Sequence, residues 1–188
     1  AVTGTIISSV VPPVTAATAE AVQLLTGREP MIVGPGIRTG MNILAEIHNQ
    51  LGADIVACSV GALKKYPAPI IVINMDTATT LSYLGENTYV GGVIIPGLRI
   101  AAEALSNQAA RLPDISLEHP SAVLGRSTIE SMRSGILYGN AGMIDSMLTR
   151  MEEEAGNAAS VVITGINSGF IRDLCRREMI YDENLLMD

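Results

Sequence analysis

The sequence predicts an α/β fold built around a mixed sheet, and three observations support this. Residues 70–73 form an apolar, β-branched run that is typical of a buried strand. Two further strand patterns follow it across short turns, which is typical of an antiparallel meander. Segments with helical periodicity lie on both sides of these strands. With 188 residues, of which 48% are hydrophobic, the chain can bury a large core.

The segment before the meander predicts a strand, a helix and a second strand. Residues 5–11 are β-branched and end at two prolines, and residues 14–26 have the character of a helix closed by Gly27. Residues 30–34 read as a short strand leaving into a glycine-rich loop. Apolar residues at helical spacing then predict a long helix over residues 42–65, broken near Gly52, which joins two lobes.

The meander itself is expected at residues 69–75, 78–84 and 87–95. Beyond it, the sequence predicts helices at 98–110 and 127–154, a strand at 159–164 and a helix at 168–176. This order is that of a ribonuclease H-like lobe, and two such lobes facing each other form the actin-like kinase fold. We therefore expect an incomplete N-terminal lobe at 1–41, a linking helix region at 42–66 and a C-terminal lobe at 67–188.

Composition and charge exclude several functional classes. The net charge is −7 and no long basic run is present, so we expect no nucleic-acid and no membrane partner. Residues 1–19 lack charge but contain Pro12 and Pro13 and have no basic start, which indicates neither a signal peptide nor a membrane span.

The sulfur and imidazole side chains form no metal pattern. Cys58 and Cys175 are far apart without a CxxC spacing, and His48 and His119 complete no ligand set. We therefore predict buried thiols in a reducing cytoplasm. Because the chain begins with Ala and with a segment typical of a fold interior, we also expect a further N-terminal segment upstream.

The turn after the first buried strand is the first candidate site. Residues 74–80 are rich in threonine, so hydroxyls and backbone N–H groups could bind a phosphate there. Asn74 is neutral, however, and Asp76 places a negative charge where an anion would approach. A cation held by Asn74 and Asp76, which share a face of an extended strand, could bridge to the phosphate.

Over several segments of the chain, the sequence resembles the type III pantothenate kinases. The resemblance is carried, in order along the chain, by residues 6–12, 34–40, 52–54, 77–80, 91–98, 111–113, 125–132 and 134–136. It implies ATP-dependent phosphorylation of pantothenate to 4′-phosphopantothenate, the first step to coenzyme A. It also implies Mg²⁺, a monovalent cation (K⁺ or NH₄⁺) and a homodimer.

The resemblance assigns roles to individual residues. Asp54 would be the catalytic group that accepts the proton of the pantothenate hydroxyl; the alternative is a solvated or helix-capping residue after Gly52. The residues implied to contact the ATP phosphates are Thr77, Thr79, Thr80 and Gly165. Those implied to contact pantothenate are Gly52, Gly92, Gly97 and Thr128. Asn74 occupies the position of the family's cation-binding aspartate, and Asp76, on the same strand face, is the second candidate cation ligand.

Several positions depart from the family pattern. Ile55 stands where the family has the arginine that holds the pantothenate carboxylate, and Asn74 and Asp76 stand where it has aspartate and glycine. Ile166 replaces the second glycine of a Gly-Gly pair on the adenosine side. An Asp-x-Gly-Asn-Thr phosphate motif does not occur in this sequence.

Two functional interpretations therefore stay open. One is a pantothenate kinase with altered site residues. The other is a catalytically silent paralogue that binds a ligand, or forms a heterodimer with a complete kinase, in a regulatory or structural role. An unrelated acetate or sugar kinase fits less well, because the matches span the chain. For Gly92, Gly97 and Thr128, turn geometry and helix capping are alternative explanations.

Overall fold

The computed structural model describes residues 2–34, 37–43 and 50–187. Its helices are α1 (Pro12–Thr26), α2 (Ala53–Lys65), α3 (Leu98–Gln108) and α4 (Thr128–Ala155). Its strands are β1 (Ile6–Ile7), β2 (Met31–Ile32), β3 (Asn42–Ile43), β4 (Ile70–Met75), β5 (Ala78–Gly85), β6 (Thr88–Pro96), β7 (Ser160–Thr164) and β8 (Ile180–Tyr181). Two short 3₁₀ turns, Ser168–Phe170 and Arg172–Leu174, connect β7 to β8.

The main sheet has six strands in the order β3-β6-β5-β4-β7-β8. β4, β5 and β6 pair antiparallel, so the predicted meander is confirmed. β7 pairs parallel with both β4 and β8, and β3 pairs parallel with β6, which makes the sheet mixed. β1 and β2 form a separate two-stranded parallel sheet.

The central strands β4 and β5 are buried on both faces, and side chains alternate between the two faces along each strand. On β4, Ile71, Ile73 and Met75 join the larger apolar cluster with residues of α3 and α4. Ile70 and Val72 point the other way, into a second cluster that includes Cys58 and Ala62 of α2. The sheet thus lies between α3 and α4 on one side and α2 on the other, which positions the candidate site on the α2 side.

Helix α4 supplies much of the larger cluster. Ser127 caps its first turn by accepting a hydrogen bond from Glu130 N, and the stripe that includes Met132 and Ile136 is buried. Met147 and Met151 pack against the same cluster, so this stripe serves the core. Within the described ranges, no helix combines the length and apolar character needed to cross a lipid bilayer.

The N-terminal unit of β1, α1 and β2 is less buried than the rest. Helix α1 begins at Pro12 and ends before Gly27, whose φ of 70° provides the left-handed C-cap. It buries no residue, and Leu25 is 86% exposed. The predicted strand-helix-strand order is confirmed here, with strands shorter than the sequence suggested.

The prediction of a helix beginning at residue 42 is wrong for its first two residues. Asn42 and Ile43 form β3 instead, because they pair with Thr88 and Tyr89 and give the edge of β6 a hydrogen-bonding partner. Residues 44–49 of the expected helix lie outside the described residues. The helix that does form, α2, begins only after Gly52, whose backbone is extended.

The helix expected at residues 168–176 is also wrong, since two 3₁₀ turns occupy this segment. Ser168 N bonds back to Gly165 O, which closes a tighter turn than an α-helix allows. The Asp145 carboxylate accepts hydrogen bonds from the backbone N–H groups of Arg176 and Arg177. These donors are therefore held by a side chain of α4 and not by a local helix.

A C-terminal strap, which we define as residues 182–187, crosses α2. Leu185 is fully buried in the cluster beneath α2. A Cβ added to Gly61 of α2 would lie 2.7 Å from the Leu185 carbonyl oxygen, so helix and strap approach each other at this glycine. Sequence patterns had not predicted the strap or β8.

We expect Gly61→Ala to destabilise the protein. The new methyl group would meet the backbone of the strap, so overpacking should lower the free energy of unfolding by about 1 to 3 kcal/mol. Urea unfolding followed by circular dichroism measures this change. Gly139→Ala in α4 is the matched control, because no atom lies within 4 Å of its added Cβ. It should stabilise the helix by about 0.5 to 1 kcal/mol, and an equal loss in both variants would contradict the packing argument.

The strap is also fixed by Asp182. Its carboxylate accepts hydrogen bonds from Lys65 Nζ at 2.9 Å and Tyr66 Oη at 2.8 Å. Burial alone would raise the pKa of Asp182, but these two partners and the backbone N–H of Asn184 lower that pKa below its usual range. The carboxylate therefore stabilises the folded chain in its charged form.

This stabilisation should depend on pH. A carboxyl whose pKa is lower in the folded chain stabilises the fold above its unfolded pKa, and the contribution is lost as the pH falls through the folded value, below about 4. Asp182→Asn should therefore unfold more easily than the wild type at pH 7, with the difference shrinking toward pH 3. Denaturant unfolding across this range measures it, with the exposed Asp173→Asn as control. A difference that stays constant with pH would refute the assignment.

Candidate functional site

A row of polar side chains crosses the main sheet where β4 ends. Asn74 of β4 pairs with Thr80 of β5 and with Thr164 of β7. Alternation along β4 places all three on the α2 side of the sheet. Asn74 is 3% exposed and Thr164 is 2% exposed. Buried polar groups therefore lie across three neighbouring strands at the carboxyl end of β4.

Asn74 is the least satisfied member of this row. Its Oδ1 atom is buried and has no hydrogen-bond partner among the described residues. A buried acceptor without a partner costs about 1 to 3 kcal/mol, so such atoms are uncommon and mark places where a ligand could bind. Thr79, one position from Thr80, turns its hydroxyl to the opposite face, where it is also buried and without a partner in this part of the structure.

A cavity of about 450 Å³ opens beside this row. Asn74, Asp76, Thr164 and Gly165 form one wall, and the strap contributes the other with Glu183, Leu186 and Met187. Its charged residues, Asp76 and Glu183, are both acidic. Three of the residues predicted to bind the cation or the phosphates therefore lie together at the carboxyl ends of the parallel strands β4 and β7. They are Asn74, Asp76 and Gly165.

The two turns at this edge are bonded to each other. Asp76 Oδ1 accepts a hydrogen bond from Ile166 N at 3.1 Å. Asn167 donates from its backbone to Met75 O and from its side chain to Asp76 O, both at 3.0 Å. Gly165 makes this approach possible, because a Cβ at that position would lie 2.6 Å from Met75 N.

Asp54 lies in the first turn of α2, two residues after Gly52. A Cβ at Gly52 would lie 2.5 Å from Asp54 Oδ1, so the bare glycine leaves room for this carboxylate. One helical turn further, Cys58 is buried against the sheet. Burial raises the pKa of the Cys58 thiol to about 12, and the charges of Asp54, Asp76 and Asp182 add to the rise. Because α2 packs on the face that Ile70 and Val72 share with Asn74, Asp54 and the cavity lined by Asp76 lie on the same side of the sheet.

Ile55 follows Asp54 and serves the fold. It is partly buried and packs against the cluster of α2, Ile70 and Val72. An arginine at this position would have to direct its charge away from that cluster. Isoleucine in place of the family's arginine therefore serves packing. No positive charge accompanies Asp54 from this position.

The residues predicted to contact pantothenate lie at separate places. Thr128 lines a cavity of about 680 Å³ at the start of α4, and Gly92 lines a third, of about 230 Å³, beside Met151. Gly97 packs under the β4–β5 turn, where a Cβ would meet the carbonyl oxygens of Thr77 and Asp76. Close packing thus accounts for Gly97 without a ligand.

The donor set does not form a cage for a protein-held metal. Asn74 and Asp76 provide one amide and one carboxylate, and the latter is already bonded to Ile166. Among the residues described, no three His, Cys, Asp or Glu side chains cluster as metal ligands. Mg²⁺ takes six oxygen ligands in near-octahedral geometry, and these two side chains alone do not provide them.

Sequence reasoning missed the contribution of the late segments. The sequence did not indicate that the Ile166 backbone N–H bonds to Asp76, or that Asn167 and the strap contribute to the site. A local signal for the turn after β7 did exist, because Gly165, Asn167 and Ser168 are typical turn residues and follow a strand. Nothing local indicated which turn they would meet.

The chain is similar to known proteins both in sequence and in structure. A family model described as type III pantothenate kinase matches residues 1–150. A Baf family protein from Campylobacter jejuni has a similar structure, with a TM-score of 0.60 and 19% identity, covering 90% of this chain and 73% of that chain. The activator of 2-hydroxyisocaproyl-CoA dehydratase from Clostridium difficile aligns with a TM-score of 0.41 and 10% identity, covering 69% and 59%. The match to the Baf family structure confirms the predicted fold.

Proposed function

Because the chain belongs to the type III pantothenate kinase family, we propose that it catalyses ATP-dependent phosphorylation of pantothenate. The γ-phosphoryl group of ATP would pass to the primary hydroxyl of pantothenate, giving 4′-phosphopantothenate and ADP. The observation that supports this best is the placement of α2. Asp54 lies in the first turn of this helix, and the helix packs on the same face of the sheet as Asn74 at the carboxyl end of β4.

Each residue has a role in this proposal. Asp54 accepts the hydroxyl proton as the phosphoryl group arrives, which requires a carboxylate within hydrogen-bond reach. Thr77, Thr80 and Gly165 border the phosphates, while Thr79 contributes through its backbone, since its hydroxyl faces the other cluster. Catalysis in such transfers comes mainly from positioning and charge neutralisation.

A silent paralogue is the second candidate, and two observations favour it. Asp76 occupies an amide donor at the phosphate end of the site, and Ile55 is committed to packing. In this role the chain would bind a ligand or a complete partner kinase without turnover. Family membership supports a cytoplasmic homodimer for the first candidate, and the half-exposed Ile100 and Ile129 of α3 and α4 offer apolar surface for it.

A turnover assay separates the two candidates. The purified protein is incubated with ATP, Mg²⁺, K⁺ or NH₄⁺ and pantothenate, and 4′-phosphopantothenate is measured by mass spectrometry. We expect product that depends on pantothenate and on protein concentration. Absence of product, with binding of pantothenate or of a partner kinase retained, would refute the proposed kinase activity and favour the silent paralogue.

A further inference from the structure

Asp76 lies at the edge of the sheet where a phosphorylated ligand would bind. It directly follows β4, and Ile166 follows β7 after a single glycine. Because β4 and β7 are parallel neighbours, both turns lie at the carboxyl edge of the sheet. In open α/β sheets this edge is where ligands bind, and turn N–H groups there are donors for phosphate oxygens.

The Ile166 N–H group is not available to such a ligand in this structure. It donates to Asp76 Oδ1 at 3.1 Å, so a carboxylate of the chain itself occupies the donor. The Ile166 side chain is 81% exposed, and both Asp76 and Ile166 line the cavity. The contact therefore occupies one hydrogen-bond donor in the wall of the cavity.

The two backbone turns are held together by bonds other than the Asp76–Ile166 contact. Asn167 bridges the same two turns through Met75 O and Asp76 O, and Gly165 brings the two backbones close together. Asp76 therefore keeps its position through its own backbone, and only its side chain would have to leave Ile166. Rotation of one side chain is enough to release the amide.

We infer that Asp76 is a specificity-determining residue whose carboxylate competes with phosphate oxygens for the Ile166 N–H group. The inference rests on the proposed function for naming nucleotide phosphates as the competing ligand. A polyphosphate must displace the carboxylate and then approach its negative charge, whereas an unphosphorylated nucleoside does neither. The chain thus disfavours the triphosphate relative to the nucleoside.

Three single variants test the inference. Asp76→Asn keeps the shape and the acceptor oxygen but removes the charge, and Asp76→Gly removes both. Glu183→Gln removes the other carboxylate of the same cavity and distinguishes a specific contact from a general charge effect. Isothermal titration calorimetry at fixed ionic strength measures the affinity of each protein for inorganic tripolyphosphate, ATP and adenosine.

We expect Asp76→Asn to bind tripolyphosphate about 10- to 100-fold more tightly than the wild type, the scale of one charge-assisted hydrogen bond. Adenosine affinity should stay within about twofold, and the gain in Glu183→Gln should be much smaller. In ¹⁵N-labelled Asp76→Asn protein, the Ile166 amide resonance should move when tripolyphosphate is added.

Equal tripolyphosphate affinity in the wild type and in Asp76→Asn would overturn the inference, as would an equal gain in Glu183→Gln or an Ile166 resonance that does not move. No binding by any variant in the millimolar range would overturn it as well. Failure of the proposed function is distinguishable, since a gain of tripolyphosphate affinity without turnover in the wild type removes the kinase and leaves this inference in place.

Discussion

Asp54→Asn should lower kcat for pantothenate phosphorylation by about 100- to 10,000-fold, the usual contribution of a positioned general base. Asparagine keeps the size of the side chain and its place in the first turn of α2, but it cannot accept the hydroxyl proton. Since the substitution leaves binding contacts largely in place, KM for ATP should change little. Steady-state kinetics with a coupled ADP assay measure both quantities.

The control for this prediction is Glu153→Gln, which removes an exposed carboxylate from α4, away from α2. It should leave kcat within about twofold, as expected of a surface charge that is screened by solvent. If Asp54→Asn retained full kcat, the assignment of Asp54 as proton acceptor would be wrong. A thermal unfolding scan on both variants excludes loss of fold as the cause of a lower rate.

Gly165→Ala should be the most destabilising single-methyl substitution at the site. Gly165 has a φ of 96°, which costs an L-residue about 1 to 2 kcal/mol. Its added Cβ would also lie 2.6 Å from Met75 N and 2.7 Å from Met75 C, both of them backbone atoms of β4. Overpacking adds about 1 to 3 kcal/mol, so the free energy of unfolding should fall by about 2 to 5 kcal/mol.

Gly169→Ala is the matched control, because Gly169 lines the same cavity and has no atom within 4 Å of an added Cβ. Urea unfolding of the two variants should differ by at least about 2 kcal/mol, the sum of the lower ends of both costs. Similar stability would mean that the β4 and β7 turns do not approach as closely as described. Loss of the Asp76–Ile166 contact in Gly165→Ala would appear as faster exchange of the Ile166 amide.

The elements that local sequence encodes strongly were predicted well. The β-branched run of β4 and the turn before β6 indicated the meander, and the apolar stripe of α4 indicated a long helix with nearly the observed bounds. These signals depend only on neighbours along the chain. The short 3₁₀ turns and β3 were predicted wrongly, because Asp145 and the edge of β6 compete for their backbone groups from distant positions.

For the candidate site, the sequence by itself identified Asn74, Asp76 and the threonines as an unusual turn after a buried strand, together with the family that the matched motifs indicate. Only the tertiary structure decided that Asp76 bonds to Ile166, 90 residues away, and that the strap walls the cavity. The physical reason is strand order. Which two turns share an edge is determined when β7 pairs with β4, and that pairing results from packing over the whole sheet and not from the residues of either turn.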